Sequence, residues 1–243
     1  MQMTGYRENQ LIHIEPIEAF QDNYIWLIHN NKKSIVVDPG DANPVIETLA
    51  RKSLDLIAIL ITHHHADHIG GVRELQKKYP NIKTFAPYKD KYDFVNKSLK
   101  NGDEINIPEL QINYKIIEIP GHTQGHIAYY DMNNLFCGDT LFACGCGKIF
   151  DGTHEQMYDS LRKISALPKK TKIYCAHEYT KKNIAFALSL KPDDMNLKLR
   201  REFTSHLKIT VPSTLDEELK TNPFLNCHSL EAFKKLRDLK DQF

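Results

Sequence analysis

The sequence has no surplus of either charge: 32 Lys and Arg face 31 Asp and Glu, a formal net charge of +1. That balance argues against a nucleic-acid surface and against an acidic partner. It has no long apolar run either; the longest, Leu54 to Ile61, is broken by Asp55 and is far too short to span a bilayer. The start, MQMTGYRENQLIHIEP, lacks a basic stretch leading into an apolar one, so no leader is expected. Cysteines are few and odd in number (Cys137, Cys144, Cys146, Cys175 and Cys227). This excludes a disulfide framework as the source of stability and suggests free thiols in a reducing compartment, hence a soluble, cytoplasmic protein. Cys144-x-Cys146 lacks a second pair and sits among glycines, so it reads as a tight loop and not a metal site. No repeat or low-complexity segment interrupts the 243 residues, which suffice for one large core or a core with a small second domain.

The first two thirds read as short strands with a few helices. Strands are expected over Leu11–Glu18, Tyr24–His29, Ser34–Val37, Asp55–Thr62, Lys83–Ala86, Ile105–Ile107, Leu110–Ile119, Ile127–Asp131, Leu135–Cys137 and, as the last strand, Lys172–Cys175. Helices are expected over Pro44–Lys52, Val72–Tyr79 and Gln156–Leu167. Asn101-Gly102 and Asn133-Asn134 have hairpin-turn chemistry. After about Glu178 the character changes: Thr180–Leu190, Asp193–Leu207 and Thr214–Lys220 read as helices, with Thr214 and Glu217 at capping-box spacing. Leu230, Phe233, Leu236 and Leu239 form the apolar stripe of a final helix. The pattern therefore predicts an α/β catalytic domain over residues 1–178 and a helical C-terminal domain over 179–243.

Histidine is abundant, with twelve residues. Their placement is the chemical signal. Thr62-His-His-His-Ala-Asp-His-Ile-Gly-Gly71 follows an apolar strand and leads into a helix. His63 and His65 are two apart, so extended backbone puts both rings on one side and His64 on the other. Asp67 and His68 fall on the turn into the helix and approach from a second direction. Imidazoles with a carboxylate match the ligand preferences of Zn²⁺ or Fe²⁺. Three further ligand types stand at strand ends: His122 in Pro120-Gly-His-Thr123, Asp139 in Cys137-Gly-Asp-Thr140, and His177 in Cys175-Ala-His-Glu178. Seven groups are too many for one tetrahedral zinc and suit two metals sharing a carboxylate. His126 reads as a support and not a ligand, and His13, His29, His154, His206 and His228 as ordinary surface or core residues.

These residues resemble the metallo-β-lactamase superfamily, whose hallmark is H-x-H-x-D-H followed by a later His, Asp and His, and within it the glyoxalase II family, the hydroxyacylglutathione hydrolases. The resemblance spans nearly the whole chain and includes Phe20-Gln-Asp-Asn-Tyr24, Val37-Asp-Pro-Gly40, Gly145-Cys-Gly-Lys148, His177-Glu-Tyr-Thr180, Asn222-Pro-Phe-Leu225 and Lys240-Asp-Gln-Phe243. It implies a four-layer αββα sandwich with a C-terminal helical domain. It implies one cation on His63, His65, His122 and Asp139, and a second on Asp67, His68, Asp139 and His177. Zinc is expected, with iron or manganese as alternatives. Asp67 and Asp139 then position a metal-bridging hydroxide that attacks the substrate carbonyl, and Asp38 supports the site without ligating. The implied substrate is a glutathione thioester, typically S-D-lactoylglutathione, cleaved to glutathione and D-lactate in the second step of methylglyoxal detoxification. Lys148 and Tyr179 match residues that hold the peptide, and Arg237 and Lys240 the pair that takes the glycine carboxylate. Three residues apart on a helix, those two project from one face and can clamp an anion. Phe150 departs from the pattern, standing where some members carry Tyr. A monomer with no nucleic-acid or membrane partner is expected. The alternatives are a mononuclear-iron persulfide dioxygenase of the same fold, separated by metal count and oxygen uptake, a nucleic-acid phosphodiesterase, disfavoured by the near-neutral charge, and a non-catalytic zinc module, disfavoured because a structural site needs only four ligands.

Overall fold

A computed structural model describes residues 11–243; the first ten residues of the stretch read above for a leader lie outside them. Two six-stranded mixed sheets face each other. The first contains β1 (His13–Ala19), β2 (Asn23–His29), β3 (Lys33–Val37), β4 (Asp55–Leu60), β5 (Lys83–Pro87) and β6 (Lys97–Leu99), in that order. The helices α1 (Ala42–Lys52), α2 (Ala66–Ile69) and α3 (Val72–Lys78) lie among these strands in sequence. The second sheet runs β14-β13-β10-β9-β8-β7. Its strands are β7 (Glu104–Ile107), β8 (Ile112–Glu118), β9 (Ile127–Tyr130), β10 (Asn134–Gly138), β13 (Lys172–Cys175) and β14 (Ser213–Thr214). A small hairpin, β11 (Leu141–Phe142) with β12 (Gly145–Cys146), follows β10. The remaining helices are α4 (His154–Ser165), α5 (Thr180–Leu190), α6 (Met195–Ser205), α7 (Leu215–Thr221) and α8 (Leu230–Asp241).

The two-residue period of the strands divides the core. In β2, Tyr24, Trp26 and Ile28 enter the larger cluster shared with the second sheet, whereas Ile25 and Leu27 pack with Val45 and Leu49 of α1 and Leu75 of α3. The same split separates Ile35 and Val37 from Val36, and Leu60 from Ile59 and Ile61. Met157, Leu161 and Ile164 of α4 join the larger cluster, as do Phe186, Phe224 and Phe233 from the C-terminal region. The expected four-layer α/β sandwich is therefore the observed one, and the C-terminal helices pack into its core.

Several local expectations are corrected. Asn101-Gly102 is not a hairpin turn: it carries the chain from β6 in one sheet to β7 in the other. The turn residues specify a reversal but not which strand lies beyond it. β13 is not the last strand, because Ser213–Thr214 adds an antiparallel edge to it. Thr214 caps α7 by accepting from Glu217 N at 3.2 Å, but the box does not close, since the Glu217 carboxylate lies 3.5 Å from Arg200 Nε. In α8 the stripe is rotated: Phe233 and Arg237 are buried while Leu239 is 51% exposed. Helix α4 begins at His154 with a complete box between Thr153 and Gln156. Thr153→Ala is expected to cost about 1 kcal/mol, to be read from a urea unfolding midpoint at unchanged m-value.

Candidate metal centre

Each ligand type sits where a strand ends, because strand termini from both sheets open on one edge. β4 delivers His63 and His65, and the following turn and α2 deliver Asp67 and His68. β8, β10 and β13 are followed by His122, Asp139 and His177. Two glycines allow the approach. Gly121 has φ 146°, and a Cβ there would fall 2.5 Å from Met157 Cα of α4. A Cβ on Gly147 would fall 1.9 Å from Asp139 O and 3.2 Å from His122 Nδ1.

The ligand atoms fall into two facing groups. Those of His63, His65 and His122 lie within 4.8 Å of one another, and so do those of Asp67, His68 and His177. Asp139 stands between them. Its Oδ2 is 3.5 Å from His122 Nε2 and 3.3 Å from His177 Nε2, and its Oδ1 is 3.5 Å from His68 Nε2. Asp38, His63 and His68 form a third close group. Asp38, however, already accepts from Thr62 N and Thr62 Oγ1, both at 2.7 Å, so it fits a support better than a ligand.

Outer partners fix the histidine rings. His122 Nδ1 donates to Lys148 O at 2.6 Å, and His177 Nδ1 to Asp22 Oδ1 at 2.8 Å, leaving each Nε2 turned inward. His68 Nδ1 lies 3.1 Å from Asp38 Oδ2. The Thr62 hydroxyl, its proton committed to Asp38, accepts from His63 Nδ1 at 3.1 Å. His126 Nε2 accepts from Asp139 N at 3.1 Å, so this ring braces the shared carboxylate from behind. His64 turns away to Asp90, 3.4 Å from its Oδ1, as the alternation of extended backbone requires.

This donor set fits a cation. His63 Nε2, His68 Nε2 and Asp139 Oδ1 are buried without a hydrogen-bond partner, a costly state for polar atoms unless something positive joins them. His65 Nδ1 and His122 Nε2 face each other at 3.0 Å. Burial holds His63, His65 and His122 below the ordinary imidazole range, in the neutral form a metal requires. For His177, burial is outweighed by Asp139, Asp67 and Asp22, which push it up to about 10; for His68, burial is outweighed by Asp139 and Asp38, which push it well up. Burial alone would raise Asp139, but His68 and His177 hold it well below the carboxylate range. A cation held there would offset the same carboxylate charge, and His68 and His177 would meet it as neutral imidazoles.

Of the four residues matched to substrate binding, Tyr179 and Lys148 adjoin this cluster, and Arg237 and Lys240 stand on α8. Tyr179 stacks on His177 with ring centroids 4.8 Å apart and meets the edge of Phe142 at 5.1 Å. Lys148 is exposed, and its backbone carbonyl orients His122. The ring of Phe150, the departure from the pattern, packs edge-on to His65 and His122 at 5.0 and 5.1 Å. Arg237 is not a free cation: it is buried, with Nη1 donating to Cys146 O at 2.9 Å and Nη2 to Asp241 Oδ1 at 3.0 Å. Lys240 is half-buried over the Phe186 ring. Asp22 and Asn23 carry structural roles that the sequence reading did not assign; only their place in the Phe20–Tyr24 segment marked them.

Known proteins are similar to this chain over most of its length. A family model described as the metallo-beta-lactamase superfamily matches residues 20–177, and one described as the hydroxyacylglutathione hydrolase C-terminus matches 178–243. Among solved structures, that of ETHE1 from Myxococcus xanthus is similar, with a TM-score of 0.72 at 23% identity, covering 94% of this chain and 90% of that one. That of the BLEG-1 B3 metallo-beta-lactamase has a TM-score of 0.68 at 23% identity, covering 89% and 100%. These two share the fold. The hydroxyacylglutathione hydrolase of Methylobacillus flagellatus is 49% identical over 96% of this chain and its own full length. That of Photobacterium profundum is 45% identical with the same coverage. The chain belongs to the metallo-β-lactamase superfamily and, within it, to the hydroxyacylglutathione hydrolases, the glyoxalase II family.

Proposed function

We propose that the chain hydrolyses S-(2-hydroxyacyl)glutathione, typically S-D-lactoylglutathione, to glutathione and D-lactate at a centre of two divalent cations. The observation that carries this is the pair of facing His/Asp groups with Asp139 between them. The full-length similarity to hydroxyacylglutathione hydrolases supports the substrate. On this reading His63, His65, His122 and Asp139 hold one cation, and Asp67, His68, Asp139 and His177 the other. Zinc suits the donors best, and iron or manganese also fit.

The cations, when bound, supply an activated water and polarise the thioester carbonyl. The chain's own part is positioning. Asp139, braced by His126, and Asp67, braced by Asn23, hold the carboxylates that orient the nucleophile. The leaving group is a thiolate with a reference pKa of roughly 8.5, so it needs no strong general acid. Residues 1–178 carry the metal centre in this account and 179–243 the peptide-binding side. Lys148 and Tyr179 flank the thioester, and Lys240, beside the buried Arg237, attracts the glycine carboxylate.

The reaction is the second step of methylglyoxal detoxification, carried out here by a cytoplasmic monomer; five unpaired cysteines suit a reducing compartment. None of the helices among the described residues is long and apolar enough to cross a membrane. The test is thiol release from S-D-lactoylglutathione. Turnover that disappears on chelation and returns with added zinc is expected. Metal-loaded, folded protein releasing no glutathione would remove the substrate assignment.

A further inference from the structure

The turn between β1 and β2 reaches the metal centre on one side only. Phe20, at φ 51°, reverses the chain so that the consecutive residues Asp22 and Asn23 face the cluster. Asp22 Oδ1 accepts from His177 Nδ1 at 2.8 Å, and Asn23 Nδ2 donates to Asp67 Oδ2 at 2.9 Å. The backbone latches the turn in place: Tyr24 N donates to Ala176 O at 2.7 Å, and Glu178 N to Asp22 O at 2.9 Å. Both side-chain bonds therefore land on the group formed by Asp67, His68 and His177. The opposite group takes its orientation elsewhere, from the Thr62 hydroxyl to His63 and the Lys148 carbonyl to His122.

We propose that Asp22 and Asn23 are positioning residues that set the affinity of one cation site independently of the other. This rests on the two-cation reading above. Asp22 fixes the His177 ring with Nε2 inward, and a carboxylate partner also strengthens that nitrogen as a donor. Asn23 acts on the more exposed ligand. The Asp67 side chain is 39% exposed, against 9% for Asp139, so it has solvent to turn towards when its amide partner is removed.

The test titrates metal-free protein with zinc ion alone in a calorimeter. Wild type is expected to bind two equivalents. Asp22→Ala and Asn23→Ala should each weaken one equivalent by about 10- to 100-fold, the usual effect of losing an outer partner, and leave the other unchanged. Asp22→Asn, whose carbonyl still accepts the His177 N–H, should recover most of the loss. Asn23 is buried, so Asn23→Leu removes the donor at similar size and serves if the alanine variant does not fold. Unchanged binding in the Asp22 and Asn23 variants, or equal weakening of both equivalents, overturns the proposal. A single equivalent in wild type overturns the two-cation reading itself, and that is visible before any variant is compared.

Discussion

Asp139→Ala is expected to leave a protein that folds, keeps at most one cation and loses nearly all thioester turnover. The residue is the carboxylate that stands between the two ligand groups, with Oδ2 3.5 Å from His122 Nε2 and 3.3 Å from His177 Nε2. Removing it leaves each group short of a ligand and leaves several histidines facing one another with no anion between them. Cation assistance is worth several kcal/mol at the transition state, so kcat should fall on the order of 10³-fold or more. Asp139→Asn, which keeps the shape and the backbone bond to His126, should fall nearly as far, because the charge and not the volume holds the cation pair. The readings are metal content by elemental analysis and turnover on the same preparation. Two tightly held cations with near-normal turnover in either variant would contradict this role.

Glu218→Ala is expected to produce the largest loss of stability. Glu218 is fully buried and takes the guanidinium of Arg200, itself 5% exposed. It also accepts from Cys144 N at 2.7 Å and from Asn222 Nδ2 at 3.1 Å. Asn222 in turn donates to Phe142 O at 3.1 Å and Gly145 O at 2.9 Å, so these two side chains help tie the hairpin of β11 and β12 to the C-terminal helices. Burial alone would lower the Arg200 pKa, but Glu218 more than offsets it. Truncation therefore leaves a buried cation with only the partly exposed Glu217, 3.5 Å from its Nε, as counter-charge, a change that costs about 3 kcal/mol, at the lower end for a broken buried pair. In a chain of this length that corresponds to a fall in Tm of roughly 10 °C. A calorimetric scan showing a shift under about 2 °C would mean that the network relaxes around the loss. Arg200→Met should destabilise less, because the remaining carboxylate keeps its donors from Cys144 N and Asn222.

Much of the candidate centre was legible because the residues proposed as ligands are local in sequence or sit at recognisable strand ends. Three consecutive histidines followed by Asp and His have no packing explanation, and the extended-chain period correctly set His64 apart from His63 and His65. The supports were harder to read. Asp22 and Asn23 lie 155 and 44 residues from the groups they hold, and no periodicity links them. β2 was recognised as a strand, but with all seven residues buried it shows no alternation from which to assign faces. β14, two residues long, leaves no pattern at all. The α8 stripe misled because Arg237 takes a buried position that hydropathy gives to leucine; its charge is met by Cys146 O and Asp241. Its burial also qualifies the anion clamp: of the proposed pair, Lys240 is the more accessible.

The central claim is a two-cation centre performing thioester hydrolysis. The most direct test counts bound metal per chain in protein turning over S-D-lactoylglutathione, with oxygen uptake followed in the same vessel. The account predicts two cations per chain, stoichiometric release of glutathione and D-lactate, and no oxygen consumed. One iron per chain with oxygen uptake and no thioester cleavage would contradict it.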